Sequence, residues 1–490
     1  MRSGPALFWL ALAAAAAPAG AQSVRATGIS TLQYVRIRPL VEDSVAIGET
    51  TGDGLLRAAP GGQLVRCIDG ERWCRYLRSS NEASIVPMVQ DIALSAWGLG
   101  RGVRAYARLR VRGMFGGNEE LWPRGDDLFD ALVAYVEVER GAVRLRGGRQ
   151  WLASGLGYHN YDGVSARYRL RPDLEIEAFL GSSLARGLNE PRTSQALAAI
   201  EPFAPDDRGV LFGGRAAWRP SPRLALSALY QREIRSDRYG LYSERVAADA
   251  TFRPGRLSLA GSLEADLASN TVNDARLRAD YQPRADLGFG LRARLYEPFF
   301  EQWTIWGAFS PVGFREAGGS VWWRPAGRPW ELVVDGSRRG YADASASPVF
   351  GLYKKSGWNL GASGSWRARP AWLAQASYRL DLGFGAGRSE ASVRVQRELG
   401  EGTHVAVSAM GFERQYEFRV SEGTVFGLGA DGGLRLSPRS RLGGSLSAWR
   451  HRSPDGVPSM DWSQLRGSFF IEWTVGPEPG LSPARAGGGG

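Results

Sequence analysis

Val103-Arg104-Ala105-Tyr106-Ala107-Arg108-Leu109-Arg110-Val111-Arg112 alternates without a break between two sets of side chains. Val103, Ala105, Ala107, Leu109 and Val111 share one side, and Arg104, Tyr106, Arg108, Arg110 and Arg112 share the other. A period of two is that of a β-strand, whose successive side chains point to opposite faces. The pattern returns in Leu257, Leu259, Gly261, Leu263, Ala265 and Leu267 against Ser258, Ser262, Glu264 and Asp266. It returns again in Leu287, Phe289, Leu291, Ala293 and Leu295, opposite Arg292 and Arg294. These runs reach about ten residues, roughly twice the usual strand of a soluble sandwich. About ten residues tilted by about 45° cross the hydrocarbon core of a bilayer.

Short breaks marked mostly by Pro or Gly, such as 99–101, 140–142, 171–173, 219–222 and 437–440, alternate with longer ones. The longer breaks include 39–87, 151–163, 182–207, 268–274 and 297–315. Short turns at one rim and long loops at the other characterise outer-membrane barrels. The spacing therefore predicts an all-β, transmembrane, antiparallel up-and-down β-barrel of about 22 strands, within a range of about 20–24. The first strand is expected near Thr31 to Arg38, and the aromatic run from Trp303 to Phe309 is a candidate extra strand. Large external loops are expected at 39–87, 182–207 and 297–315.

Arg2, the apolar stretch Ala6 to Ala17 and the small-x-small run Ala19-Gly20-Ala21 have the layout of a cleaved signal peptide, residues 1–21. The barrel is expected to fill 22–475, with a flexible Gly-rich periplasmic tail at 476–490. With the first strand so close to the cleavage site, no N-terminal plug domain is expected. Export permits a disulfide between Cys67 and Cys74, which flank the turn signal Asp69-Gly70.

Composition agrees. Glycine is 64 of 490 residues, aromatics reach 11% and charged residues 23%, which excludes disorder, and no Gly-X-Y period indicates collagen. The net charge is +11 and the pI about 9.9. Lys354 and Lys355 are the only lysines among 61 basic residues, so the excess is arginine. The arginines are spread over many strands, which argues against a nucleic-acid partner.

Across the turn at 140–142, Glu137 should face Arg146 and Glu139 should face Arg144. Across Pro172, Arg167 should face Glu177 and Arg169 should face Glu175, with Leu170 beside Leu174. Across 268–274, Glu264 should face Arg278 and Asp266 should face Arg276. Opposite charges at these positions are weakly favourable across strands. Charge toward lipid costs about 2–4 kcal/mol for Arg or Lys at mid-depth, so this face should look into the lumen. Arg104, Arg108, Arg110 and Arg112 are expected to form the densest unpaired ladder, and a surplus of lumenal arginine concentrates anions.

No catalytic, cofactor-binding or metal-ligating residues are expected. Gly427-Leu428-Gly429-Ala430-Asp431-Gly432 matches G-x-G-x-x-G but lies in an alternating strand with no following helix. The histidines, His159, His404 and His451, are far apart in sequence. No C-x-x-C-H is present for covalent haem.

Gly148-Arg149-Gln150 closing a strand and Tyr161-Asp162-Gly163 opening the next resemble the strand–loop–strand of Gram-negative porins of the alginate-export type. The resemblance implies that Arg144, Arg146, Arg149 and Arg167 border the route of an anionic solute. The final strand, Leu465 to Trp473, resembles a signal for the barrel-assembly machinery, except that Pro477 and a Gly-rich tail follow it. A wide barrel without a plug also resembles the sheath of porin–cytochrome conduits. The expected function is thus an outer-membrane channel for small anionic solutes. The alternative is a sheath around a lumenal partner such as a multihaem cytochrome, and a barrel hydrolase or protease comes third. Expected partners are outer-membrane lipid, lipopolysaccharide, the assembly machinery and a periplasmic or lumenal protein.

Overall fold

All three alternating runs form strands in the computed structural model. It describes residues 23–37, 40–52, 57–60, 65–67, 72–79, 81–115, 129–154, 156–184, 209–235, 240–297, 313–342, 355–383, 387–415, 423–452 and 462–477. The expected signal peptide, nearly all of the tail, most of the loops at 182–207 and 297–315, and the run Trp303 to Phe309 lie outside the described residues.

β1 (Ser23–Ile37) starts the wall, earlier than Thr31. The segment 39–87 is not simply a loop. It holds a small sheet of β2 (Leu40–Ala46), β3 (Arg66–Cys67) and β4 (Trp73–Ser79), in the order β2-β4-β3. The wall resumes at β5 (Ala83–Trp97), β6 (Val103–Phe115), β7 (Phe129–Arg140), β8 (Val143–Ser154) and β9 (Gly157–Arg171). It continues with β10 (Leu174–Leu184), β11 (Val210–Ser221), β12 (Leu224–Arg235), β13 (Gly240–Phe252), β14 (Leu257–Asp266) and β15 (Thr271–Arg284). Then come β16 (Leu287–Tyr296), β17 (Phe314–Trp323), β18 (Trp330–Tyr341), β19 (Ser356–Arg369) and β20 (Trp372–Leu382). The last strands are β21 (Gly387–Gly400), β22 (Thr403–Gln415), β23 (Gly423–Ser437), β24 (Ser440–Arg452) and β25 (Trp462–Val475).

The wall is one 22-stranded antiparallel sheet. β1 pairs with β5 on one side and β25 on the other, so the ring closes and no edge is left. Closure is what allows a sheet to cross lipid, because every strand then finds hydrogen-bond partners on both sides. Glycine serves the tight turns: Gly141, between β7 and β8, has φ 60°. One face carries Val136, Leu145, Leu277 and Leu291, the last 67% exposed. Such a belt is stable where hydrocarbon covers it, at about 25 cal/mol per Å² removed from water.

The segment 151–163, expected as a loop, is a hairpin. β8 pairs with β7 only as far as Ala134↔Arg149, but with β9 all the way to Ser154↔Gly157. The hairpin tip thus parts from β7. Its Leu152, Leu156 and Tyr161 cluster with Phe179 of β10, Leu211 of β11, Leu229 of β12 and Ala247 of β13. A row of register partners, Gly148, Gly163 and Gly181, crosses the base of the tip. A Cβ on Gly163 would sit 2.1 Å from the Leu180 carbonyl oxygen, so the close approach requires glycine.

Candidate functional site

The polar face of the wall is the candidate site, and strand register sets its chemistry. The β6 ladder is not unpaired, because β5 brings a carboxylate beside it: Arg110 closes its guanidinium fork on Asp91 at 2.6 and 2.8 Å, and Arg108 reaches the same carboxylate at 3.3 Å. Arg104 lies 3.7 Å from Glu139, and Arg112 has no ion pair among the described residues. Glu137 faces Arg146 and Glu139 faces Arg144, with contacts of 2.6 and 3.1 Å. Arg167 faces Glu177 and Arg169 faces Glu175. Arg167 takes both carboxylates, at 3.0 Å (Glu177) and 3.3 Å (Glu175), and Arg169 has no ion pair among the described residues. Leu170 is not beside Leu174: a register shift there puts Arg171 opposite Leu174.

The register expected across 268–274 is overturned. β15 already begins at Thr271, and a shift between Glu264 and Ala265 puts Glu264 opposite Asp274 and Asp266 opposite Thr271. The cause is a tighter turn. Asp266 Oδ1 accepts the backbone N–H groups of Ala268 and Ser269 at 2.8 and 3.0 Å, and Asn270 takes the left-handed conformation, φ 54°. Arg276 and Arg278 now pair along their own strand, with Asp274 at 3.0 Å and Asp280 at 2.7 Å. Arg294 joins Asp274 at 2.8 Å, Arg292 meets Glu316 at 3.1 Å, and Glu264 pairs with Arg245.

Arg149 is the second correction. Its register partners are Ala134 and Asp162, on the face of Val136, Leu145 and Val164 rather than that of Arg144 and Arg146. Its fork closes on Asp162 at 2.7 and 2.9 Å, and Nη1 donates to the Ala131 carbonyl of β7 at 2.9 Å. That bond lies just beyond the last paired residue, Ala134. The guanidinium bridges β7 and β8 where their ladder ends.

The hairpin tip is tied to the polar face. Arg245 Nη1 of β13 donates to the Leu156 carbonyl at 3.2 Å, and the Gln231 amide of β12 lies 3.3 Å from the His159 ring nitrogens. Gln231 is 1% exposed. His404 Nε2 is 3.6 Å from Asp431, and His451 stacks on Trp462 at 5.5 Å. No trio of His, Cys, Asp or Glu suited to a metal occurs among the described residues. Cys67 and Cys74 form a disulfide joining β3 to β4, with Cα atoms 4.1 Å apart.

Sequence reasoning missed Asp91, Glu316, Arg339 and the pair Arg394–Asp431. Arg339 reaches Glu316 at 2.8 Å, and Arg394 reaches Asp431 at 2.8 Å. Their signal was present, since each sits in phase with the polar set of its strand. What was absent was the order of neighbours in space.

No protein-family model matches the chain, and no curated protein matches it. Among solved structures, the translocation pore of the P pilus usher PapC matches at 11% identity and TM-score 0.43, covering 92% of this chain and 99% of that one. Acinetobacter baumannii OccAB1 matches at 10% identity and TM-score 0.39, covering 93% and 97%. Pseudomonas aeruginosa OccK3 (OpdO) matches at 9% and 0.38, covering 93% and 96%. The chain is a β-barrel of the outer-membrane type. That assignment stands on its own closed ring.

Proposed function

We propose that the chain is an outer-membrane channel whose polar face lines the lumen and passes small water-soluble solutes, favouring anions. One observation carries the reading: on the polar face, side chains bridge strands two apart. Arg292 of β16 is 3.5 Å from Asp335 of β18, Arg394 of β21 is 2.8 Å from Asp431 of β23, and Ser183 of β10 is 2.6 Å from Glu233 of β12. Strands two apart are separated by roughly 10 Å, and side chains converge only on the inside of a closed curve. The apolar belt then faces hydrocarbon. Most arginines on this face are matched by carboxylates. The anion preference rests on those without an ion pair among the described residues, including Arg112, Arg169, Arg215 and Arg379.

The purified full chain in planar bilayers should show stepwise conductance and, in a KCl gradient, a reversal potential displaced toward chloride. Absence of conductance, or cation preference, would overturn the reading. A haem-containing protein that copurifies with a non-conducting barrel would replace it with the sheath.

A further inference from the structure

Arg441 of β24 and Glu472 of β25 are register partners on the polar face. Some such partners on this face close, as Arg146 and Glu137 do at 2.6 Å, while Arg169 and Glu175, and Arg379 and Glu390, do not. Here no ion pair forms within 4.0 Å. The Arg441 guanidinium lies the other way, over Gly433 of β23. A Cβ added to Gly433 would sit 2.9 Å from Arg441 Nη2 and 2.9 Å from His404 Cε1 of β22. On its other side Glu472 faces Ile29 of β1, which offers no donor. Arg441, Glu472, Ile29 and His404 line one cavity of about 1010 Å³ at the short-turn rim; of its other charged groups, Arg108 is paired with Asp91 and Arg435, across from Arg441, with Glu401, leaving Arg439 and Glu398.

We propose that this cavity binds a small zwitterion of the α-amino-acid class, its carboxylate on Arg441 and its ammonium on Glu472. The inference rests on the reading of the polar face as the lumen wall. A guanidinium presents parallel N–H donors to a carboxylate, and charge-assisted bonds of this kind are about twice as strong as neutral ones. A lone anion at Arg441 meets the repulsion of Glu472, and a lone cation at Glu472 meets that of Arg441. A zwitterion satisfies both. Gly433 holds the pair open, because the space above it is where the guanidinium rests.

The test is calorimetric titration of the detergent-solubilised full chain with L-glutamine, against sodium acetate and ethylammonium chloride, with folding of each variant checked by heat-modifiable gel mobility. Glutamine should bind more tightly than either single-charge probe by about tenfold or more. Arg441→Gln and Glu472→Gln should each weaken it by a similar factor. Gly433→Ala is the sharper variant: every charge is kept, and the methyl pushes the flexible guanidinium off its seat toward Glu472. It too should lose binding. Acetate binding as tightly as glutamine, or unchanged glutamine affinity in Gly433→Ala and Glu472→Gln, overturns the proposal. Bilayer recording of the same preparation separates the two readings. Conduction without glutamine binding removes the zwitterion site alone, and binding without conduction removes the channel and keeps the site.

Discussion

Arg149 shows how a charge is tolerated on the apolar side of the wall. Its fork is closed on Asp162, and a third donor reaches the Ala131 carbonyl where β8 has left β7. Removing Arg149 takes two charge-assisted hydrogen bonds from Asp162 and one from the Ala131 carbonyl, at a cost of about 1–3 kcal/mol. Arg149→Ala should therefore lower stability by about that amount, measured by urea titration of the barrel refolded into lipid vesicles. The double change Arg149→Leu with Asp162→Leu should cost less than Arg149→Ala alone, because no charge is stranded. A double variant at least as unstable as the single would show that the Ala131 bond matters more than the pair. Leu291 gives the complementary case. It is 67% exposed on the apolar face, and Leu291→Arg should cost about 2–4 kcal/mol in the same assay, with no ion partner to offset it.

At the scale of elements, the β8–β9 hairpin is the feature that departs most from a plain barrel. It parts from β7 beyond Arg149 while β9 stays paired with β10 as far as Asn160, packs Leu152 and Leu156 over β10 to β13, and is tied down by Arg245. It lies on the polar face, which the proposed channel reading makes the lumen side. Replacing 152–159 by a two-residue Asn-Gly turn keeps the Arg149–Asp162 base of the hairpin and should raise single-channel conductance. An unchanged conductance would mean that another segment sets the narrowest point. The small β2–β4 sheet should behave as a separate unit, since its buried cluster of Val45, Ala59 and Cys74 contains no wall residue. Replacing both cysteines by serine should make 40–79 more susceptible to limited proteolysis, at a loss of about 2 kcal/mol, with little change in the wall. Much of this scale was legible in the chain itself. Period two marked β6, β14 and β16, and the charged registers at 140–142 and 171–173 followed because short turns leave few ways to pair, although a shift at Leu174 moved its partner from Leu170 to Arg171. The register of β14 and β15 was not legible, because Asp266 and Asn270 tighten a turn that looked like a loop. Nor was the hairpin: Trp151 to Gly163 lacks clean alternation, and its apolar residues pack on strands far along the chain. Arg149 was misplaced although its phase was visible, since counting in twos from Val143 and Leu145 puts it on the apolar side and only the resemblance grouped it with Arg144 and Arg146.

The whole molecule is a ring of 22 strands. At a spacing of about 4.8 Å and a tilt of about 40°, such a ring has a backbone radius of roughly 20 Å. A lumen of that width cannot select by size alone against small ions. In the proposed channel, selection comes from the field of the wall, which reaches inward by about one Debye length, about 10 Å at 0.1 M salt and about 3 Å at 1 M. The field is set by the arginines left over once Asp91, Glu137, Asp274, Glu316 and Asp431 have been matched. Reversal potentials in KCl gradients should therefore show anion preference that is clear around 0.1 M and fades toward the bulk ratio by about 1 M. Changing Arg112, Arg169, Arg215 and Arg379 together to Gln should reduce the preference at low salt, and have little effect at high salt, where screening has already removed it. Shortening the hairpin should weaken it as well, because solutes then travel farther from the wall. A preference that stayed constant from about 0.1 to 1 M would mean that ions touch their selecting groups directly in a narrow filter. In that case the constriction, not the ring of arginines, would decide what passes.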